Sequence, residues 1–234
     1  MDEKLIAGRS LLDLAEPFLR RGDRAGLSTA LQEEWNADCL ALLLDSDDSE
    51  LLRVVAICIG LIGDMTSCPS LMPLLHHRQD AVAHAAEDAL WSIWFRACNP
   101  LGRQVLSKIA EHIRHGETEN VVAMLTDLIR THPHYAEAFH QRSQTHFLEN
   151  NYDAALRDAR RAFQLNPYHF GALANIANCY AALGRYAEAL ATYQRVLELC
   201  PRMPEVDTVV HQLEQRLAPT ERPPFSLTLV TDPD

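Results

Sequence analysis

Histidine is the residue type in this chain with the most obvious reach for chemistry, and there are eleven. The tightest groups are His76-His77 with His84, His112 with His115, and His132 with His134. A metal site needs imidazoles and carboxylates that converge, as two histidines one helical turn apart do beside a glutamate in HExxH; none of these groups has that form. His132 and His134 flank Pro133 in a turn, and His112 and His115 close a helix, where a cation suits the dipole. The expectation is structural or solvated histidine, with no metal and no cofactor. No GxSxG, phosphate-cradling glycine loop or dinucleotide fingerprint is present. The carboxylates are spread over helix surfaces and turns, such as Asp45-Ser-Asp-Asp-Ser-Glu50, and Arg21-Gly-Asp23 reads as a turn between helices. Six cysteines form no CxxC pair, and Cys58 and Cys179 sit among apolar residues as small hydrophobes. No catalytic constellation emerges, so an enzyme is not expected.

The elements that would position any site follow from a period. Pro133, Pro167 and Pro201 are 34 residues apart, and so are Gly116, Asn150 and Gly184. The glycines and asparagine end a first helix, since they enter the left-handed region most cheaply. A second helix then runs over roughly 118–131, 152–165 and 186–199, and the prolines stop it. Within it Val121/Ala155/Ala189, Leu125/Ala159/Tyr193 and Leu128/Ala162/Val196 lie at i, i+4 and i+7, one apolar stripe per helix. A fixed period of this length predicts a solenoid of helix–turn–helix units, each packed on its neighbours.

These residues carry a resemblance. Gly171-Ala-Leu-Ala-Asn-Ile-Ala-Asn-Cys-Tyr180, Leu183-Gly-Arg-Tyr-Ala-Glu-Ala-Leu190, Tyr193, Val196 and Pro201 are similar to a tetratricopeptide repeat (TPR). Asn151-Tyr-Asp-Ala-Ala-Leu156 through Pro167 resembles the same unit one period earlier, and 102–135 a degenerate third, with Thr118 in place of the loop tyrosine. A helix over roughly 204–217 would cap the open end. The resemblance implies that first helices line a concave groove that binds peptide, and carried over by period it places His140, Gln141, Gln144 and Phe147 there, then Ala174, Asn175, Asn178 and Ala181. Gln141/Asn175 and Gln144/Asn178 are carboxamides at matching places, able to donate to and accept from an extended backbone; Phe147 offers an apolar contact. Some such domains clamp a C-terminal carboxylate with cationic side chains. The corresponding places here are Leu106, Ala110, Gln141, Gly171 and Asn175, with no cation among them.

The N-terminal half beats differently. Leu51-Leu-Arg-Val-Val-Ala-Ile-Cys-Ile-Gly-Leu-Ile-Gly-Asp64 recurs 31 residues later as Val82-Ala-His-Ala-Ala-Glu-Asp-Ala-Leu-Trp-Ser-Ile-Trp94. Both resemble the second helix of short HEAT-like repeats of the phycobilisome-lyase type, spanning residues 27–97; paired helices of an ordinary bundle are the alternative. A phycobilin-lyase-like enzyme is implied by that likeness alone.

The formal net charge of −11, with no extended basic patch, argues against nucleic acid and anionic membranes. The longest apolar run, Val54 to Gly63, falls short of the roughly 18 residues a span needs. Met1-Asp-Glu-Lys lacks the regions of a signal peptide, so a cytoplasmic protein is expected. After Arg222-Pro-Pro224, the run Phe225-Ser-Leu-Thr-Leu-Val-Thr231 alternates like a short strand. The expectation is that 219–234 docks on its own chain or on a neighbouring one, and the second case would make a homo-oligomer. The whole reading is an all-α, right-handed helical-repeat solenoid: HEAT-like pairs over 1–100, about three TPR units and a capping helix over 101–217, and a tail over 218–234. The expected function is a non-catalytic scaffold or adaptor binding a protein or peptide, with a structural spacer or self-assembly module as the alternative.

Overall fold

The computed structural model describes residues 3–115 and 120–218. Gly116, Thr118 and the tail over 219–234 lie outside the described residues. Thirteen α-helices and three short 3-10 turns make up the described chain, with no strand among them.

The repeat half follows the predicted grammar. Its helices are α7 (Pro100–Arg114), α8 (Val121–Thr131), α9 (Ala136–Leu148), α10 (Tyr152–Leu165), α11 (Phe170–Ala182), α12 (Tyr186–Leu199) and α13 (Pro204–Leu217). Asn150 and Gly184 take positive φ, 59° and 74°, after α9 and α11. Behind each, the next backbone amide reaches back over the turn, Asn151 N to His146 O and Arg185 N to Tyr180 O, both at 2.9 Å, closing orphan carbonyls. At the far end of the second helices the pre-proline residues His132, Asn166 and Cys200 leave helical geometry, with φ of −133°, −138° and −137°. Consecutive helices stack, and the fully buried Ala155, Ala159 and Ala162 let α10 approach its neighbours closely. Ser143 Oγ donates to Ala155 O at 2.9 Å across that contact. Arg142 grips Asp158 with two bonds, Nε–Oδ2 at 2.7 Å and a second terminal nitrogen to Oδ1 at 2.8 Å.

The N-terminal half comprises α1 (Glu3–Arg21), α2 (Arg24–Glu34), α3 (Ala37–Ala41), α4 (Ser49–Ile62), α5 (Cys68–Leu71) and α6 (Asp80–Arg96). The two segments related by 31 residues are α4 and α6, and they pack on each other. Gly60 permits the crossing: a Cβ there would sit 2.8 Å from Ala89 Cα. The polar turn before α4 supplies its cap, with the Asp48 carboxylate accepting from Glu50 N at 2.9 Å.

One contact departs from a nearest-neighbour array. Helix α6 crosses to the repeats, and Phe170 and Cys200 join the apolar core built by residues 11–94. Arg202, at the α12–α13 corner, completes the clasp. Its Nε pairs with Asp80 Oδ1 at 2.9 Å, and its terminal nitrogens donate to Leu75 O at 3.0 Å and His77 O at 2.6 Å. The expected boundary near residue 100 therefore runs through a continuous core.

Candidate functional site

Helices α9 and α11 are the first helices of the two well-formed repeats, and their facing surfaces carry the carboxamides. Gln144 is exposed; Gln141, Phe147 and Asn178 are half-buried. His140 and Asn175 differ from expectation, being only 2% and 8% exposed. Gln141 Nε2 donates to Glu137 Oε1 at 2.7 Å, and Asn178 Oδ1 accepts from the Tyr193 hydroxyl. Asn175 Nδ2 faces Ser143 Oγ at 3.5 Å. Gln144 thus keeps its amide outward, whereas the other three carboxamides brace the repeat itself. Phe147 packs beside Tyr152, ring centroids 5.3 Å apart.

The burial of His140 has a definite cause. Trp91 of α6 lies on the face of α9 and α11 nearest their N-termini, its ring 5.8 Å from that of His140 and 5.3 Å from that of His169. Gly171 makes room for it, since a Cβ there would be 2.5 Å from Trp91 Cη2. The chain's own α6 therefore fills one end of the surface assigned to peptide, and the remainder runs along Gln144, Phe147, Asn178 and Ala181.

Beneath Trp91 lies a group that sequence reasoning missed. Glu137 and His140 stand one turn apart on α9, and His169 caps α11, its Nδ1 accepting from Ala172 N at 3.2 Å. His169 Nε2 lies 3.1 Å from Glu137 Oε2. Its ring stacks on Trp94 at 4.5 Å and lies 4.5 Å from that of His140. Burial alone would raise the Glu137 carboxyl, but the bonds from His169 and Gln141 and the neighbouring imidazoles outweigh it and hold it below the usual carboxylate range. Burial, aided by His169, pushes His140 down to about 3, so it is a neutral imidazole. Its Nδ1 is buried without a hydrogen-bond partner. Among the described residues these three are the group whose ligating atoms converge, all within 4.8 Å of one another. The signal was legible: Glu137 and His140 at i, i+3, and a histidine at 169 where the earlier unit has Tyr135, one period before.

Four of the six thiols are buried and poorly suited to act as nucleophiles. Burial raises Cys58 to about 12 and Cys68, Cys179 and Cys200 to about 11.

Residues 146–213 match the tetratricopeptide repeat family model. That segment covers α10 to α12 and most of α13. A TPR repeat-containing protein of Rhizobium etli is 29% identical over 104 residues, 44% of this chain and 51% of that protein. The chain thus spans about half the length of that curated relative. Superkiller complex protein 3 of Mus musculus is 27% identical over 88 residues, 38% of this chain and 6% of that protein. Among solved structures, the Sgt2 TPR domain from Aspergillus fumigatus is 14% identical, with a TM-score of 0.49, covering 58% of this chain and 90% of that one.

Proposed function

We propose that the chain is a non-catalytic, cytoplasmic protein-binding scaffold that receives an extended peptide along α9 and α11. The observation that carries this is the exposed Gln144 with Asn178 one period later on the adjacent first helix, beside the half-buried Phe147. Gln144 both donates and accepts, and the Asn178 amide nitrogen remains available once its oxygen has taken the Tyr193 hydroxyl. Together they suit backbone recognition with little demand on sequence, and Phe147 with Ala181 suits one apolar side chain. The match of 146–213 to the repeat model supports an interaction module. Because α6 occupies the end near His140, the bound segment is short, reaching from Gln144 toward the C-terminal ends of α9 and α11. Among the described residues no helix is long and apolar enough to cross a membrane.

The test is affinity capture with the full-length chain against its Gln144→Arg/Asn178→Arg variant, after the two are shown to melt alike. Prey bound by the first and lost by the second supports the groove. Identical prey on both overturns it, and self-association without prey favours the spacer reading.

A further inference from the structure

We propose that Glu137, His140 and His169 form a binding site for one borderline divalent metal ion, such as Zn2+, that ties α9 to α11 beneath α6. Three observations on the described chain lead there. The group is a carboxylate and two imidazoles, a donor set suited to zinc, cobalt, nickel or copper rather than to calcium or magnesium. Their ligating atoms lie within 4.8 Å of one another. Tetrahedral ligands at zinc bond lengths are about 3.4 Å apart, so a small closure of side chains suffices. The third observation is electrostatic. Glu137 carries a buried charge at 3% exposure, and His140 Nδ1 has no hydrogen-bond partner at 2% exposure.

Burial of an unsatisfied imidazole nitrogen, in a group that also holds a buried carboxylate, is costly unless something satisfies both. A divalent cation answers both needs at once, neutralising the carboxylate and taking the lone pair. The third ligand is His169 Nε2, which today faces Glu137. For that nitrogen to bind, its ring proton moves to Nδ1, and the bond from Ala172 N is given up. Trp91 and Trp94 roof the group, so the metal enters during folding or when α6 lifts. Nothing here depends on the peptide groove, since Gln144, Phe147 and Asn178 are not ligands.

The experiment uses the full-length chain with Trp35→Phe, so that emission comes from Trp91 and Trp94 alone. It is unfolded in chelator, refolded with Zn2+ or Co2+, and dialysed. We expect one metal per chain by elemental analysis, tetrahedral d–d bands with Co2+, quenched indole emission with Co2+, and a raised thermal midpoint. Glu137→Gln keeps the shape and one of the two accepted hydrogen bonds but not the charge; His140→Phe fills the space without a ligand. Each should weaken binding by about a hundredfold or more, beyond the effect of losing an outer-shell partner. Retention of full stoichiometry by both variants, binding without quenching, or no binding by the parent protein would each overturn the site. Should one variant fail to fold, the other variant and the parent's quenching decide.

Discussion

At the scale of single residues, Arg142 and Asp158 form a two-bonded polar joint in the repeats, with side chains 17% and 11% exposed. Two bonds in parallel fix the angle between α9 and α10, and Arg142 also lies over the Phe139 ring. Removing one partner strands the other's charge away from water. Asp158→Ala should therefore cost about 3 kcal/mol in chemical denaturation, while the exposed pair Arg130–Asp127 should tolerate Asp127→Ala with a loss of about 0.5 kcal/mol or less. The same distinction explains why the carboxamides were hard to sort from sequence. Gln144 and Asn175 are alike in type and pattern, yet only the first faces outward. What separates them is a partner on another element, and periodicity carries no information about partners.

At the scale of elements, the chain was legible wherever a local rule forces a boundary. Prolines after α8, α10 and α12, positive φ at Asn150 and Gly184, and a capping helix over 204–217 all appear where the sequence asks for them. The start of α8 at Val121 rather than 118 is a boundary shift of the ordinary kind. The 31-residue echo falls on α4 and α6, which pack on each other where Gly60 and Ala89 are small enough for the two backbones to meet. Gly60→Ala tests that crossing. The new methyl would meet the Ala89 backbone, which cannot swing aside as a side chain would. We expect about 1–3 kcal/mol of destabilisation despite the better helix propensity of alanine, read as a lower thermal midpoint. Gly184→Ala, by contrast, meets no atoms within 4 Å and should cost about 1 kcal/mol through its positive φ alone.

At the scale of the whole molecule, the feature that the sequence did not disclose is the fold-back of α6. An array with neighbour-only contacts melts as a sum of units, and its ends fray first. Here the aromatic contacts of Trp91 and Trp94 with His169 and Phe170, and the Arg202 clasp, join segments more than a hundred residues apart in places. We expect one transition when unfolding is followed both by far-UV circular dichroism and by tryptophan emission. Trp94→Ala should separate the two probes, with a loss of about 3–5 kcal/mol in the unit that contains the shared core. Two resolved steps in the unaltered chain would count against this coupling. Neither period could have announced the fold-back, because it joins the last turns of α6 to the start of α11, and the start of α6 to the α12–α13 corner, and a period says nothing of contacts between the two halves.

The Arg202 clasp has a consequence for how the chain is made. Synthesis runs from the N-terminus, so α6 is complete while its partners Phe170, Cys200 and Arg202 do not yet exist. Until the chain has grown past His140, His169 and Phe170, Trp91 and Trp94 lack the repeats that later cover them. Loop closure over such a separation is slow compared with the pairing of adjacent helices, so the shared core forms late. The nascent protein thus passes through a stage in which an aromatic face is bare, until the repeat that carries His169 and Phe170 arrives to shelter it.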